Sequence, residues 1–591
     1  MTDLFNPFDA ELILKKKKSL KRELLERDTL RLKKKIAILG GSTTAEIKNV
    51  LELFLLDYGF ELEFYESEFA QYWQDAMLSE ELRMFKPDIV FIHTSSRNIM
   101  QWPSLSDDNK KIDDMLEQQF LHFSKMWEKI SQDLKCPIIQ NNFERPTYRL
   151  LGNKDISDYR GKSNYISRLN HKFYEYTQTN DGFFINDIDY LSASFGLEKW
   201  ADPFCWYMYK YALSTSAIPE LAFSVANIIK SVFGKNKKAI AVDLDNTLWG
   251  GVVGDDGVYG LEIGQETPIG HAYSDFQTYL KELKQLGVVL SVVSKNEHES
   301  AFAGLKHPDS ILQTEDFVLI KANWEPKNNN ILSIIEELAL LPESFVFIDD
   351  NPAERDIIRQ ALPEVAVPEL DNIERFIATI DRCGYFESTM LSDDDAKRTE
   401  MYNENIKRAK QMATFTNYHD YLLSLDMTAI IKEFEPIYIP RITQLINKSN
   451  QFNLTTKRYT EEEVKAVTAS EKHITLYGKL ADKFGDNGVV SIIIGEIVDN
   501  VLNVDLWVMS CRVIKRDMEL AMMDVLLNEC IAKGIEVIVG HYYPTSKNNM
   551  VRELYSCLGF KKESEDETGS SMWIFSVDKD SKPMNSVIKV N

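Results

Sequence analysis

The 591-residue sequence predicts an α/β chain of three successive domains, two built on parallel sheets and a third of α+β type. Three observations predict it. Short apolar runs of strand length alternate with helix-length amphipathic segments from residue 36 onward. A polar, glycine-containing break, "FGKNKK" at 233–238, interrupts the alternation and then restarts it. From Met427 several strands follow one another directly, which a βαβ unit does not allow.

Taken in order, "IAILGG" (36–41) reads as a strand ending in glycines, followed by the helical "AEIKNVLELFLLDYGF". The strands "LEFYES", "DIVFIHTSS" and "PIIQNNF" continue a parallel sheet. The second unit opens with "AIAVDLD" and runs through helix "SDFQTYLKELKQLG", strand "VVLSVVSKN", helix "NNNILSIIEELAL" and strand "SFVFIDDNP". Ser392 and the aspartates after it suit a helix start. The third unit reads strand, helix, then "HITLYGKLAD", "GVVSIIIGEIV" and "VLNVDLWVMS". A long helix "RDMELAMMDVLLNECIAKG", strand "EVIVGHYY", helix "NNMVRELYSCLGF" and strand "SSMWIFSV" complete it. The expected boundaries are a basic helical segment at 1–35, α/β domains at 36–235 and 236–385, and a linker helix with the α+β domain at 386–591.

A net charge of −23 argues against nonspecific nucleic-acid binding, and no apolar run approaches the length of a membrane span. The start of the chain lacks the order of a secretory signal, so cytoplasmic residence is the expectation. The six cysteines are scattered without a CxxC pair, which suggests neither a disulfide framework nor a zinc site. One local exception to the negative balance is 15–35, with eleven Lys/Arg against three acids. It reads as a solvated helix face, with an electrostatic dock for an acidic partner as the alternative.

In "AIAVDLDNTLWGG" a buried strand runs straight into two carboxylates, Asp243 and Asp245. Clustered like charges resist burial, so such an arrangement marks a site. Separated by one residue at an extended strand end, both can face the crevice at the carboxyl edge of the sheet. Ser294 ends the second strand and offers a hydroxyl to a phosphate. Lys327 opens a helix with a positive charge, and Asp349 and Asp350 end a further strand with oxygens suited to Mg²⁺. Singly each is a loop, a cap or a surface charge; together, in order and at strand ends, they form a constellation for phosphoryl chemistry.

"DLDNT" with Ser294, Lys327 and Asp349/Asp350 resembles the four motifs of haloacid dehalogenase-like phosphotransferases. The resemblance implies that Asp243 attacks phosphorus. Asp245 would serve as acid and base and lend its carbonyl to the Mg²⁺ held by Asp243, Asp349 and Asp350. Only residues 250–272 separate the first motif from its helix, too few for a large cap. Together with "NWEPK", "FIDDNPAERD", "LPEVAVPEL" and "NKSNQFNLTTKRYT", the chain resembles the FkbH-like subfamily. That resemblance implies a phosphatase joined to glyceryl transfer, from an acyl phosphate such as 1,3-bisphosphoglycerate to an acyl carrier protein.

The flanking domains resemble two further families. The C-terminal order is similar to the GNAT acyltransferase fold, but "RVIKRDME" (512–519) places Lys515 and Asp517 where CoA-binding glycines are expected. That substitution argues against acyl-CoA use. Cys511, just before this turn, is either a small buried hydrophobe or a thiol activated by a helix N-terminus and by Arg512, Lys515 and Arg516. Cys530 and Cys557 read as inert core. The N-terminal domain, with "LGGST", resembles SGNH hydrolases with Ser42 as nucleophile. The expected Asp-x-x-His reads "DPFC" (202–205), so the domain is expected to lack its base and to be inactive, with His93 the first candidate for a hidden one. Two functions follow: phosphatase plus glyceryl transferase, acting on a small phosphorylated substrate and an acyl carrier protein, or a plain phosphatase within a partner-binding scaffold.

Overall fold

Runs that are apolar at every position form strands covered on both faces. The first sheet joins β1 (Leu32–Gly40), β2 (Phe60–Glu66), β3 (Ile89–His93), β4 (Ile138–Asn141) and β5 (Phe183–Asn186), all parallel, in the order β2-β1-β3-β4-β5. The computed structural model describes the chain except residues 1–3, 5, 7, 28–30, 392–397, 413, 546 and 579–581. The helix start expected at Ser392 therefore lies outside the described residues. β5 gives little sequence signal, because it is only four residues long, with Phe184 and Ile185 half-buried, and follows a polar turn. Behind this sheet Trp127 packs on Phe173 and Phe183, with ring centroids 4.7 and 4.5 Å away.

The basic helix Ala10–Glu26 keeps Lys15, Lys16, Lys18 and Arg22 exposed, as expected of a solvated face. It buries Ile13 and Leu24 and meets the acidic side of helix Ala45–Asp57. Lys17 pairs with Glu46, Lys21 with Glu52 at 2.6 Å, and Arg27 beyond the helix with Asp57 at 2.6 Å. Part of the basic run is thus neutralised within the chain.

The second sheet holds β6 (Ala239–Val242), β7 (Val289–Ser294), β8 (Leu319–Ala322) and β9 (Phe345–Ile348), all parallel, in the order β8-β7-β6-β9. β8 is a half-buried edge strand whose mixed pattern gave no clear signal. β6, β7 and β9 are fully buried, and their carboxyl ends open onto one crevice.

The third sheet is mixed. It comprises β10 (Thr428–Lys432), β11 (Phe452–Asn453), β12 (His473–Asp482), β13 (Gly485–Val498), β14 (Val501–Met509), β15 (Val537–Tyr542), β16 (Lys561–Glu565), β17 (Ser571–Ser576) and β18 (Lys589–Val590). Its order is β16-β17-β15-β14-β13-β12-β10-β18, with β11 pairing β14. β12, β13 and β14 form an antiparallel meander, while β14 and β15 run parallel across helix Met518–Ala532. β16 is exposed along its whole length, which hid it from a pattern search. The helix expected from "NNMVRELYSCLGF" shortens to Leu554–Cys557, and Cys557 is exposed rather than core.

By packing, the described chain forms two compact units, Thr2–Val232 with Thr460–Glu463, and Phe233–Tyr459 with Val464–Asn591. The second unit contains both the four-stranded sheet and the mixed sheet. Among the described residues, no helix is long and apolar enough to cross a membrane.

Candidate active site

Asp243 leaves β6 with its backbone N–H donating to the Ile348 carbonyl at 2.9 Å, which ties it to the end of β9. Asp349 and Asp350 leave β9 one and two residues later. Lys327, first residue of helix Lys327–Leu338, places Nζ 3.0 Å from Asp243 Oδ2 and 2.6 Å from Asp349 Oδ2. All of these except Asp350 are buried. Burial followed by the neighbouring Asp243 charge raises Asp349 above the ordinary carboxylate range, although Lys327 opposes the shift. Asp350 moves the same way for the same two reasons. Burial works against the Lys327 charge, but Asp243 and Asp349 outweigh it, so its pKa is raised.

Asp243, Asp349 and Asp350 each offer one oxygen, all within 4.8 Å of one another. Asp243 Oδ1 is buried with no hydrogen-bond partner, an orphan acceptor that a cation would satisfy. An all-oxygen set of this kind suits a hard divalent ion. The Asp245 carboxylate lies outside this cluster. Its Oδ1 accepts from Trp249 Nε1 at 2.9 Å and from the Val253 N–H at 3.1 Å, and its Oδ2 from Asn296 Nδ2 at 2.8 Å. Those three donors hold it in one orientation beside Asp243, which leaves only its backbone carbonyl for the metal role expected of it.

Ser294 is buried at the end of β7, and Asn296 Nδ2 bridges from its hydroxyl, at 3.2 Å, to Asp245. Asn296, two residues past the end of β7, is a polar residue whose sequence position signals no more than a cap. Two more residues knit the site. Thr247 Oγ1 accepts from the Asp350 N–H at 3.1 Å. Buried Arg355 donates to the Asp349 and Asp350 carbonyls at 2.9 and 2.7 Å.

Cys511 sits elsewhere. It is half-buried in a 3-10 turn, Cys511–Val513, while the long helix begins only at Met518. The expected activating cations need correction. Arg516 is buried against Asp482, 3.2 Å away, and donates to the Arg512 carbonyl at 2.7 Å; Lys515 is exposed. Tyr402, Lys238, Arg398 and Arg512 line the same cleft as Cys511 instead. Lys515 and Asp517 keep positive φ, 66° and 59°, so the backbone retains the conformation that glycines would adopt. Asp517, the N-cap of helix Met518–Ala532, makes no side-chain capping hydrogen bond in this geometry.

In the N-terminal unit, Ser42 is buried with its hydroxyl unpartnered. Asp202 and Cys205 meet each other, the thiol lying 3.6 Å from Asp202 Oδ2. His93 cannot serve as the hidden base. The Thr94 carbonyl can only accept, so it fixes the Asn141 amide, whose Nδ2 donates to His93 Nδ1 at 2.9 Å. The remaining imidazole hydrogen then sits on Nε2, which is buried without a partner. Burial lowers the His93 pKa to about 4, so the ring stays neutral.

Residues 35–230 match the family model of the FkbH N-terminal domain. No curated protein matches the chain. Among solved structures, the N-terminal part of a Bacteroides fragilis protein, containing a phosphatase domain and complexed with Mg, is similar at 29% identity. That match covers 64% of this chain and 99% of the other, with a TM-score of 0.59. A GNAT-family acetyltransferase from Streptococcus pneumoniae is 17% identical over 25% of this chain and 99% of its own, TM-score 0.22. A phosphinothricin acetyltransferase from Sinorhizobium meliloti, in complex with AcCoA, is 15% identical over 27% and 95%, TM-score 0.22. By these comparisons the chain is similar to the FkbH N-terminal domain along residues 35–230 and to the Mg-complexed phosphatase-containing protein over nearly two thirds of its length.

Proposed function

We propose that residues 236–385 act as a Mg²⁺-dependent phosphatase of the haloacid dehalogenase type. The observation that carries this reading is one ammonium, Lys327, lying between the carboxylates of Asp243 and Asp349, with Asp350 completing an oxygen cluster at the carboxyl edge of a parallel sheet. The Mg-complexed relative supports it. Asp243 attacks phosphorus: a new O–P bond forms, and the bond to the leaving oxygen breaks as Asp245 supplies a proton. Water, deprotonated by Asp245, then cleaves the aspartyl-phosphate. Lys327 and the Ser294 region hold the phosphoryl oxygens. Mg²⁺ held by Asp243, Asp349 and Asp350 would offset the accumulated negative charge.

The same reading extends to an acyl phosphate substrate and an acyl carrier protein, with Cys511 taking the acyl group as a thioester before the carrier thiol does. The resemblance to FkbH-like proteins and the placement of a half-buried thiol in an open cleft support that extension. One observation favours the plain phosphatase. Lys238, beside Cys511, precedes β6, whereas Asp243 follows it, so roughly 16 Å of packed strand separates the two sites. Mass spectrometry of a carrier protein incubated with enzyme, Mg²⁺ and acyl phosphate decides between them: a stable acyl mass on the carrier supports transfer, and phosphate release without it supports the plain phosphatase.

A further inference from the structure

An extended strand points successive side chains to opposite faces. Asp349 and Asp350 follow Ile348, the last residue of β9, yet each offers an oxygen within 4.8 Å of the other and of Asp243. The chain must therefore leave the extended form at this point. It does so: the backbone bends at Asp350, before helix Pro352–Ala361 begins. The bend gathers three carboxylates in one place, which their mutual repulsion opposes.

Arg355 is placed to hold that bend. It is the fourth residue of helix Pro352–Ala361, and helical side chains lean back toward the N-terminus, here toward the end of β9. Its Nη1 donates to the Asp349 carbonyl at 2.9 Å and to the Asp350 carbonyl at 2.7 Å. Consecutive carbonyls of a strand point apart, so one nitrogen reaches both only when the chain is bent. The other arm, Nη2, donates to Glu369 Oε1 at 2.9 Å, and Glu369 also accepts from Arg359. With 3% exposure and both arms engaged, the guanidinium is a fixed fork. Two lighter ties act on the same bend. The Asp350 N–H donates to Thr247 Oγ1 at 3.1 Å, and the Asn351 N–H to Asp349 Oδ1 at 2.9 Å. Each of these holds one acidic residue, whereas Arg355 holds both.

We infer that Arg355 is a positioning residue for the divalent-ion site: it turns Asp349 and Asp350 together toward Asp243, and Glu369 fixes the guanidinium that does so. It acts through the two backbone carbonyls and leaves the carboxylate oxygens to the ion. The inference rests on the Mg²⁺ reading above and extends it to residues outside the ligand set.

The test is Mn²⁺ binding to the full-length protein without substrate, followed by loss of the free-ion electron paramagnetic resonance signal. Arg355→Met should weaken binding roughly 10- to 100-fold, the usual cost of removing a group that orients a metal ligand. Arg355→Lys keeps the charge but puts a single ammonium on a flexible stem, and should still bind at least about fivefold more weakly than the wild type. Glu369→Gln loosens the guanidinium without removing it, and should fall between Arg355→Met and the wild type. The Mg²⁺ concentration that half-saturates phosphate release should rise in the same order. Urea midpoints of the metal-free proteins establish that each variant is folded; should Arg355→Met not fold, the other two variants carry the comparison. Unchanged Mn²⁺ affinity in the folded variants, or full recovery with lysine, would overturn the inference, since the bend would then hold itself or need only a charge. The expected Mn²⁺ pattern without phosphate release from any substrate would defeat the phosphatase reading alone. A wild type that takes up no Mn²⁺ would defeat both.

Discussion

At the scale of single residues, Asp243 and Asp245 differ by what touches them. Asp243 is paired on one oxygen and open on the other, whereas both Asp245 oxygens accept hydrogen bonds. Asp243→Asn should abolish phosphate release, and Asp245→Asn should cost roughly 10²–10⁴ in kcat with substrate binding retained. Both are read in a phosphate-release assay. His93 makes a prediction about stability. Its folded pKa, about 4, lies below the ordinary value of 6.5, so the unfolded chain binds the extra proton between them. Stability should therefore fall as pH drops through that window, by on the order of 3 kcal/mol, and His93→Gln should flatten the profile in urea titrations. Ser42, with no base, should resist fluorophosphonate labelling, and Ser42→Ala should leave phosphate release unchanged.

At the scale of elements, strands covered on both faces were legible because continuous apolar runs admit few alternatives. Half-buried or exposed strands such as Leu319–Ala322 and Lys561–Glu565 were not, because pairing rather than pattern defines them. The site was legible wherever charge is placed against a buried strand end, as at Asp243 and Asp349. The clasp around Asp245 was not, since Trp249, Val253 and Asn296 are brought together by folding alone. The turn before Met518–Ala532 shows a third case. Lys515 and Asp517 hold positive φ without being glycine. Replacing either by glycine should relieve that strain by about 0.5–1 kcal/mol, seen as a higher urea midpoint with an unchanged slope. A loss of stability would mean that their side chains contribute more than their backbones cost.

At the scale of the molecule, the carboxylate cluster lies at the carboxyl edge of the four-stranded parallel sheet, whereas Lys238 and Cys511 line a cleft at its amino edge. EDTA should silence phosphate release while leaving Cys511 alkylation unaltered, because the metal cluster and the cleft share no side chain. Whether transfer to a carrier is coupled to hydrolysis depends on passage between the edges. Hydrolysis itself depends only on the aspartate edge. The most direct measurement is therefore of the covalent intermediate. Protein quenched during turnover with Mg²⁺ and a phosphorylated substrate, reduced with borohydride and mapped by mass spectrometry, should contain homoserine at position 243, and none when EDTA is present. Turnover without that mark, or a mark on another carboxylate, would contradict the account.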